Sequence, residues 1–185
     1  MIRYAFAVLT TLTAVAAGAS ELSLGPASIQ KIVSEQLFNQ RGRWYLLDNG
    51  PCYAFFDHPK THLTDGRLVL NAHLSARIGL QVGDTCAGTD MDSNVTISAR
   101  PVGKGSSLTL EDIRFDRADD ALNAIQQLAP EALPKAFSFD LLTLVKDKSI
   151  SAIGVPVTVS QFRILNTETK REAVRITYDM TLTAP

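Results

Sequence analysis

The sequence predicts an α+β domain in which a long antiparallel sheet is covered on one face by helices, and three observations lead there. Leu68, Leu70, Ala72, Leu74, Ala76, Ile78, Leu80 and Val82 fall on one phase of a period-two pattern, with Asn71, His73, Ser75, Arg77 and Gln81 on the other, so one face is apolar and one wet. Two stretches, residues 28–41 and 121–145, repeat apolar side chains at helical spacing. Period two then returns at Val174, Ile176, Tyr178, Met180 and Leu182. The chain has 185 residues, 45% hydrophobic and 20% charged, which suits a single folded domain and excludes disorder. With 18 basic residues against 19 acidic ones, no overall field attracts phosphate, and no nucleic-acid partner is expected.

Residues 1–19 read as a secretory signal peptide. Arg3 is the basic n-region, residues 4–15 are apolar but for threonines, and Ala17-Gly18-Ala19 is a small-x-small cleavage site. The alternative, a membrane anchor, needs about 20 apolar residues, which neither this run nor any later one supplies. No Cys follows the cleavage site, as a lipoprotein would require, so residues 20–185 are expected as a single exported domain, periplasmic or secreted. In an oxidising compartment Cys52 and Cys86 can pair, closing a loop worth about 3–4 kcal/mol; two buried thiols are the alternative.

Within the domain, Ser28 is a candidate N-cap for a helix whose face is Ile29, Ile32, Val33 and Leu37 and which ends near Arg41, before Gly42. Residues 44–47 and 52–56 read as strands around the turn Asp48-Asn49-Gly50-Pro51. The alternation over residues 68–82 predicts one strand roughly 50 Å long, either strongly curved or changing partners midway. Val95, Ile97 and Ala99 continue the meander, Gly103-Lys104-Gly105-Ser106 turns it, and the phase change from Leu110 to Ile113 predicts a bulge near Asp112. Pro130 divides the second helical stretch into pieces at 118–129 and 130–146. A strand from Val155 slips phase before Phe162 and Ile164, and a turn at residues 166–169 leads into the last strand.

Chemistry-bearing motifs are scarce. There is no G-x-S-x-G, H-E-x-x-H or phosphate loop, and the acidic pairs Glu111-Asp112 and Asp119-Asp120 have no specific spacing, so no enzyme and no cofactor are expected. The segment Asp57-His58-Pro59-Lys60-Thr61-His62, with Asp65 beyond, carries metal-ligand side chains, but i, i+4 spacing serves a helix, and Pro59 argues against one. The segment reads as a solvated turn and His73 as solvent-facing, so no metal site is expected.

The order of elements, with the helical face Ile29/Ile32/Val33/Leu37, the alternating strand at 68–82, the stretch 121–145 and Gly154-Val155-Pro156-Val157, resembles the bacterial YceB-like lipoprotein family and, more broadly, the tubular lipid-binding (TULIP-like) proteins. The resemblance implies a long curved antiparallel sheet wrapped around one or two long helices, enclosing an apolar channel, so that residues 20–185 form one TULIP-like domain. The missing N-terminal Cys departs from that family and speaks against membrane tethering.

The leading expectation is therefore a non-enzymatic exported protein that binds a hydrophobic small molecule, a lipid or fatty acid, between sheet and helices. Leu70, Leu74, Ile78, Ile97, Leu122, Ile125 and Leu128 are the expected lining, with Trp44 and Phe55 near a mouth. The competing expectation is a solid core and a surface that docks a cell-envelope protein. A third is an exported metal site at His58, His62 and Asp65, and an enzyme has least behind it.

Overall fold

The computed structural model describes residues 19–117, 135–142, 150–152 and 155–183, with residues 122, 123, 125, 127 and 133. Residues 1–18 of the expected signal peptide, and Leu128, lie outside the described residues. The first described elements are a strand β1 (Ser20–Leu24) and a helix α1 (Pro26–Gln36). Nine strands follow: β2 (Trp44–Asn49), β3 (Cys52–Thr64), β4 (Arg67–Val82), β5 (Thr85–Lys104), β6 (Ser107–Arg117), β7 (Phe137–Asp140), β8 (Ile150–Ala152), β9 (Val155–Thr169) and β10 (Val174–Thr183). Two antiparallel sheets result, one of order β2-β3-β4-β5-β6-β7 and one of order β1-β10-β9-β8.

The fold class expected from the sequence is corrected by this architecture. The described chain is mostly β, a curled antiparallel sheet with one short helix, and not a sheet wrapped around long helices. Residues 122, 123, 125 and 127 are helical, but residues 137–140, expected inside the second helical piece, form β7, with Phe139 opposite Leu108. Phe137 and Phe139 alternate with Ser138 and Asp140, so the same residues satisfy period two as well as period 3.6, and an open edge on β6 decides between them. Helix α1 is shorter than expected. Pro26 occupies its first turn with Gly25 as N-cap, which puts Ser28 inside the helix, and the chain leaves at Leu37.

The segment around His58 is likewise no turn, since β3 runs through it to Thr64 and the turn comes at Asp65-Gly66. Pro59 is accommodated by a bulge. Register passes from Asp57↔His73 to Lys60↔Asn71, so His58 and Pro59 together face Ala72 and neither needs a ladder hydrogen bond. β4 keeps the same two partners, β5 from Leu68↔Ala99 to Val82↔Thr85 and β3 from Thr64↔Arg67 to Tyr53↔Arg77, and from Ile78 to Val82 it pairs with β5 alone. The bulge expected near Asp112 is present, because Ser98↔Arg114 gives way to Arg100↔Glu111, and Asp112 has φ 50°. The phase slip in β9 is a bulge at Ser160, and the turn into β10 lies at residues 170–173 rather than at 166–169.

Both sheets close on one core. Phe56 and Leu74, paired across β3 and β4, are fully buried, as is Ile176 of β10. Leu24, Ile29, Val33, Leu68, Leu108, Phe139, Ile164 and Val174 join them, so β1, α1 and the second sheet cover the apolar face of the first. Where the sheets meet, the Ile164 amide donates to Gly105 O at 2.8 Å and the Gly66 amide to Thr169 O at 3.1 Å. The approach demands glycine at position 103, where a Cβ would stand 2.2 Å from Ile164 Cγ2.

Candidate functional site

The inner face of the curled sheet gathers most of the side chains expected to line a ligand site. Leu70, Leu74, Ile97, Leu122 and Ile125 are buried together in the core, and Ile78 and Trp44 pack against its margin half-buried. Trp44, the only tryptophan, stands among Phe38, Phe56 and Phe137 at ring-centroid distances of 6.0, 5.0 and 4.8 Å. Phe55 points the other way. It follows Ala54 by one residue, and the pleat sends it to the outer face against Tyr45 and Tyr53, with the Arg43 guanidinium 4.2 Å above its ring. Between α1 and the sheet the lining is wholly apolar, including Ile29, Ile32, Val33, Leu68, Leu110 and Phe139, and the free space is 10 Å³, about one water. A larger space of 640 Å³ at the junction of β5 and β9 is open to solvent and polar, with Arg100, Glu111 and Glu168 on its walls.

Helix α1 is tied to the sheet by one side chain. Beyond Phe56 the outer edge of β3 has no strand beside it among the described residues, because β2 stops pairing at Trp44↔Phe56. Gln30 replaces the missing partner: its Oε1 accepts from the Thr61 amide at 2.7 Å and from Thr61 Oγ1 at 3.0 Å, and its Nε2 donates to Pro59 O at 3.0 Å.

On the outer face the same bulge assembles a cluster of ionisable groups. Asp57 Oδ1 lies 2.7 Å from His58 Nδ1 and 3.1 Å from His73 Nδ1, and His73 Nε2 lies 2.5 Å from Asp92 Oδ1. The hydrogen bond to Asp92 raises the His73 pKa most, burial works against it, and the bond to Asp57 adds to the rise. Of the residues with ligand chemistry in the sequence, Asp57 and His58 are here, while Asp65 pairs with Arg171 at 3.2 Å and His62 sits four residues further along β3. Their union with His73 and Asp92 is not visible in the sequence. His73 and Asp92 sit on the polar phases of neighbouring strands two rungs apart in register, which periodicity alone does not reveal.

Cys52 and Cys86 form a disulfide, with Cα atoms 5.1 Å apart. Their strands are separated by β4, and two rungs of a flat sheet would hold them about 9.5 Å apart. The end of the β4–β5 hairpin therefore folds over the middle strand. Gly79 and Gly88 face one another at the fold, where a Cβ on either would come within 2.3 Å of the opposing backbone. Leu80 and Val82 beyond it are 73% and 57% exposed, so the apolar phase of β4 is buried only as far as Ile78. No described helix is long and apolar enough to cross a membrane. Neither a protein-family model nor a curated protein matches the chain.

Proposed function

We propose that the protein is an exported, non-enzymatic binder of a hydrophobic ligand, a lipid or fatty acid, which it takes up on the inner face of the curled sheet beneath α1. The observation that carries this reading is the lining, which offers aliphatic and aromatic carbon to the space under the helix. Export is supported by the Cys52–Cys86 disulfide, a bond that persists in periplasmic or secreted proteins. With 10 Å³ free, the ligand enters by displacing α1, whose fully buried side chains are Ile29 and Val33. Each methylene taken from water contributes about 0.8 kcal/mol, so a twelve-carbon chain gains roughly 10 kcal/mol, enough to offset undocking of a short helix.

Mass spectrometry of an organic extract of the purified protein, with uptake of a fluorescent fatty acid read through Trp44, tests the proposal. A bound lipid and a Trp44 response support it, and repeated absence of both refutes it. The tight packing under α1 favours a second reading, a solid-cored module that docks a cell-envelope protein through its surface. That reading requires capture of a specific envelope protein by the lipid-free chain.

A further inference from the structure

The geometry points to a zinc-class divalent metal site on the outer face of the sheet, with Asp57, His58 and His73 as ligands and Asp92 as the outer partner of His73. This site lies on the face opposite the apolar interior and is independent of lipid binding.

The backbone supplies the first argument. Neighbouring residues in a regular strand point to opposite faces, so Asp57 and His58 would normally diverge. The bulge removes that constraint, and His58 adopts φ 50°, a left-handed conformation that disfavours any side chain with a Cβ. The result is that the His58 ring returns to the side of Asp57 and meets His73 at a centroid distance of 6.3 Å. One ligand atom from each of Asp57, His58 and His73 falls within 4.8 Å of the others. A tetrahedral ion with bonds near 2.1 Å needs its ligands about 3.4 Å apart, within reach of small side-chain rotations.

Chemistry supplies the second. Two imidazole nitrogens and a carboxylate oxygen suit zinc, and three protein ligands leave a fourth position for water. A carboxylate oxygen only accepts, so in the metal-free cluster the two Nδ1 atoms approach Asp57 through their hydrogens; the ion takes the place of those hydrogens, the His58 proton moving to Nε2 and the His73 Nδ1 proton passing to solvent. His73 then keeps its Nε2–H on Asp92, the carboxylate–histidine arrangement that fixes a ligand ring.

Zinc chloride titrated calorimetrically into the oxidised full chain tests the site, with histidine ring nitrogens followed by NMR. One equivalent should bind, shifting Nδ1 of His58 and His73 and leaving His62 unmoved. His58→Asn keeps the left-handed backbone, and it and His73→Ala should each weaken binding at least 10-fold. Asp92→Asn should cost about 10- to 100-fold. His62→Ala should change nothing. Circular dichroism confirms that the variants remain folded. Zinc binding of undiminished affinity in His58→Asn and His73→Ala, or no binding by the parent chain below about a millimolar, overturns the proposal.

Discussion

Replacing Gln30 by Met keeps the length of the side chain and removes the polar bridge between α1 and β3. Three hydrogen bonds to β3 disappear, two from Thr61 to Oε1 and one from Nε2 to Pro59 O, together with a bond from Nε2 to Ser34 Oγ within the helix. The bulge and the end of β2 leave the Thr61 amide and the Pro59 carbonyl with no strand alongside, so neither regains a backbone partner without rearrangement. At about 1 kcal/mol for each bond to β3, the expected loss is about 3 kcal/mol. For a chain of this size, that lowers the melting temperature by roughly 5–10 °C. Urea unfolding measures the loss as a shift of midpoint at constant m value. Hydrogen exchange at the Thr61 amide should quicken in step, and fatty-acid uptake should also quicken if α1 is the gate. A loss below about 0.5 kcal/mol with Thr61 still protected would show that the helix is held by its apolar face alone, and the argument from Gln30 would fail.

Other perturbations probe other parts of the fold. Replacing both Cys52 and Cys86 by Ala removes a bridge closing 34 residues and should cost roughly 4 kcal/mol in unfolding free energy, with the fastest new hydrogen exchange at residues 80–87. Gly103→Ala drives a methyl into the β-branched Ile164 and should destabilise by about 1–3 kcal/mol, while Gly25→Ala, with open space around it, should leave packing unchanged. Leu74→Ala should cost about 2–5 kcal/mol by the same urea assay, because the fully buried site is walled by two long strands that collapse poorly. Arg67 first, and Arg114 second, hold the Asp112 carboxyl below the usual carboxylate range. Its contribution is therefore complete above the unfolded pKa and is lost as pH falls through the lower folded value. Urea midpoints measured against pH should fall less steeply in acid for Asp112→Asn, which tolerates the left-handed backbone; an unchanged slope removes Asp112 from the account.

What the sequence made legible follows from how local each signal is. The strand at residues 68–82 was readable because one unbroken alternation needs no knowledge of partners, and the bulges near Asp112 and in β9 because a bulge is itself a phase change. The disulfide was legible as one of two outcomes once export was assumed. Residues 137–140 are ambiguous in the sequence because both periods fit them and only the edge of β6, thirty residues earlier, decides. β1 passed unnoticed since five residues with a single buried side chain, Leu24, carry almost no pattern. The Asp57, His58 and His73 cluster was half visible. Asp57-His58 is plain in the chain, but its union with His73 depends on register and on a positive φ that Pro59 disguised as a turn.

The folded hairpin makes the two cysteines a test of strand registry. Fifteen consecutive rungs join β4 to β5, and a slip of a single residue would send Cys86 to the opposite face, out of reach of Cys52. Oxidation can therefore seal only the correctly paired hairpin, and a chain that misaligns its longest strands keeps two free thiols. Thiol labelling of freshly oxidised protein would sort properly threaded molecules from misthreaded ones, making the bond a proofreader of assembly as well as a clasp.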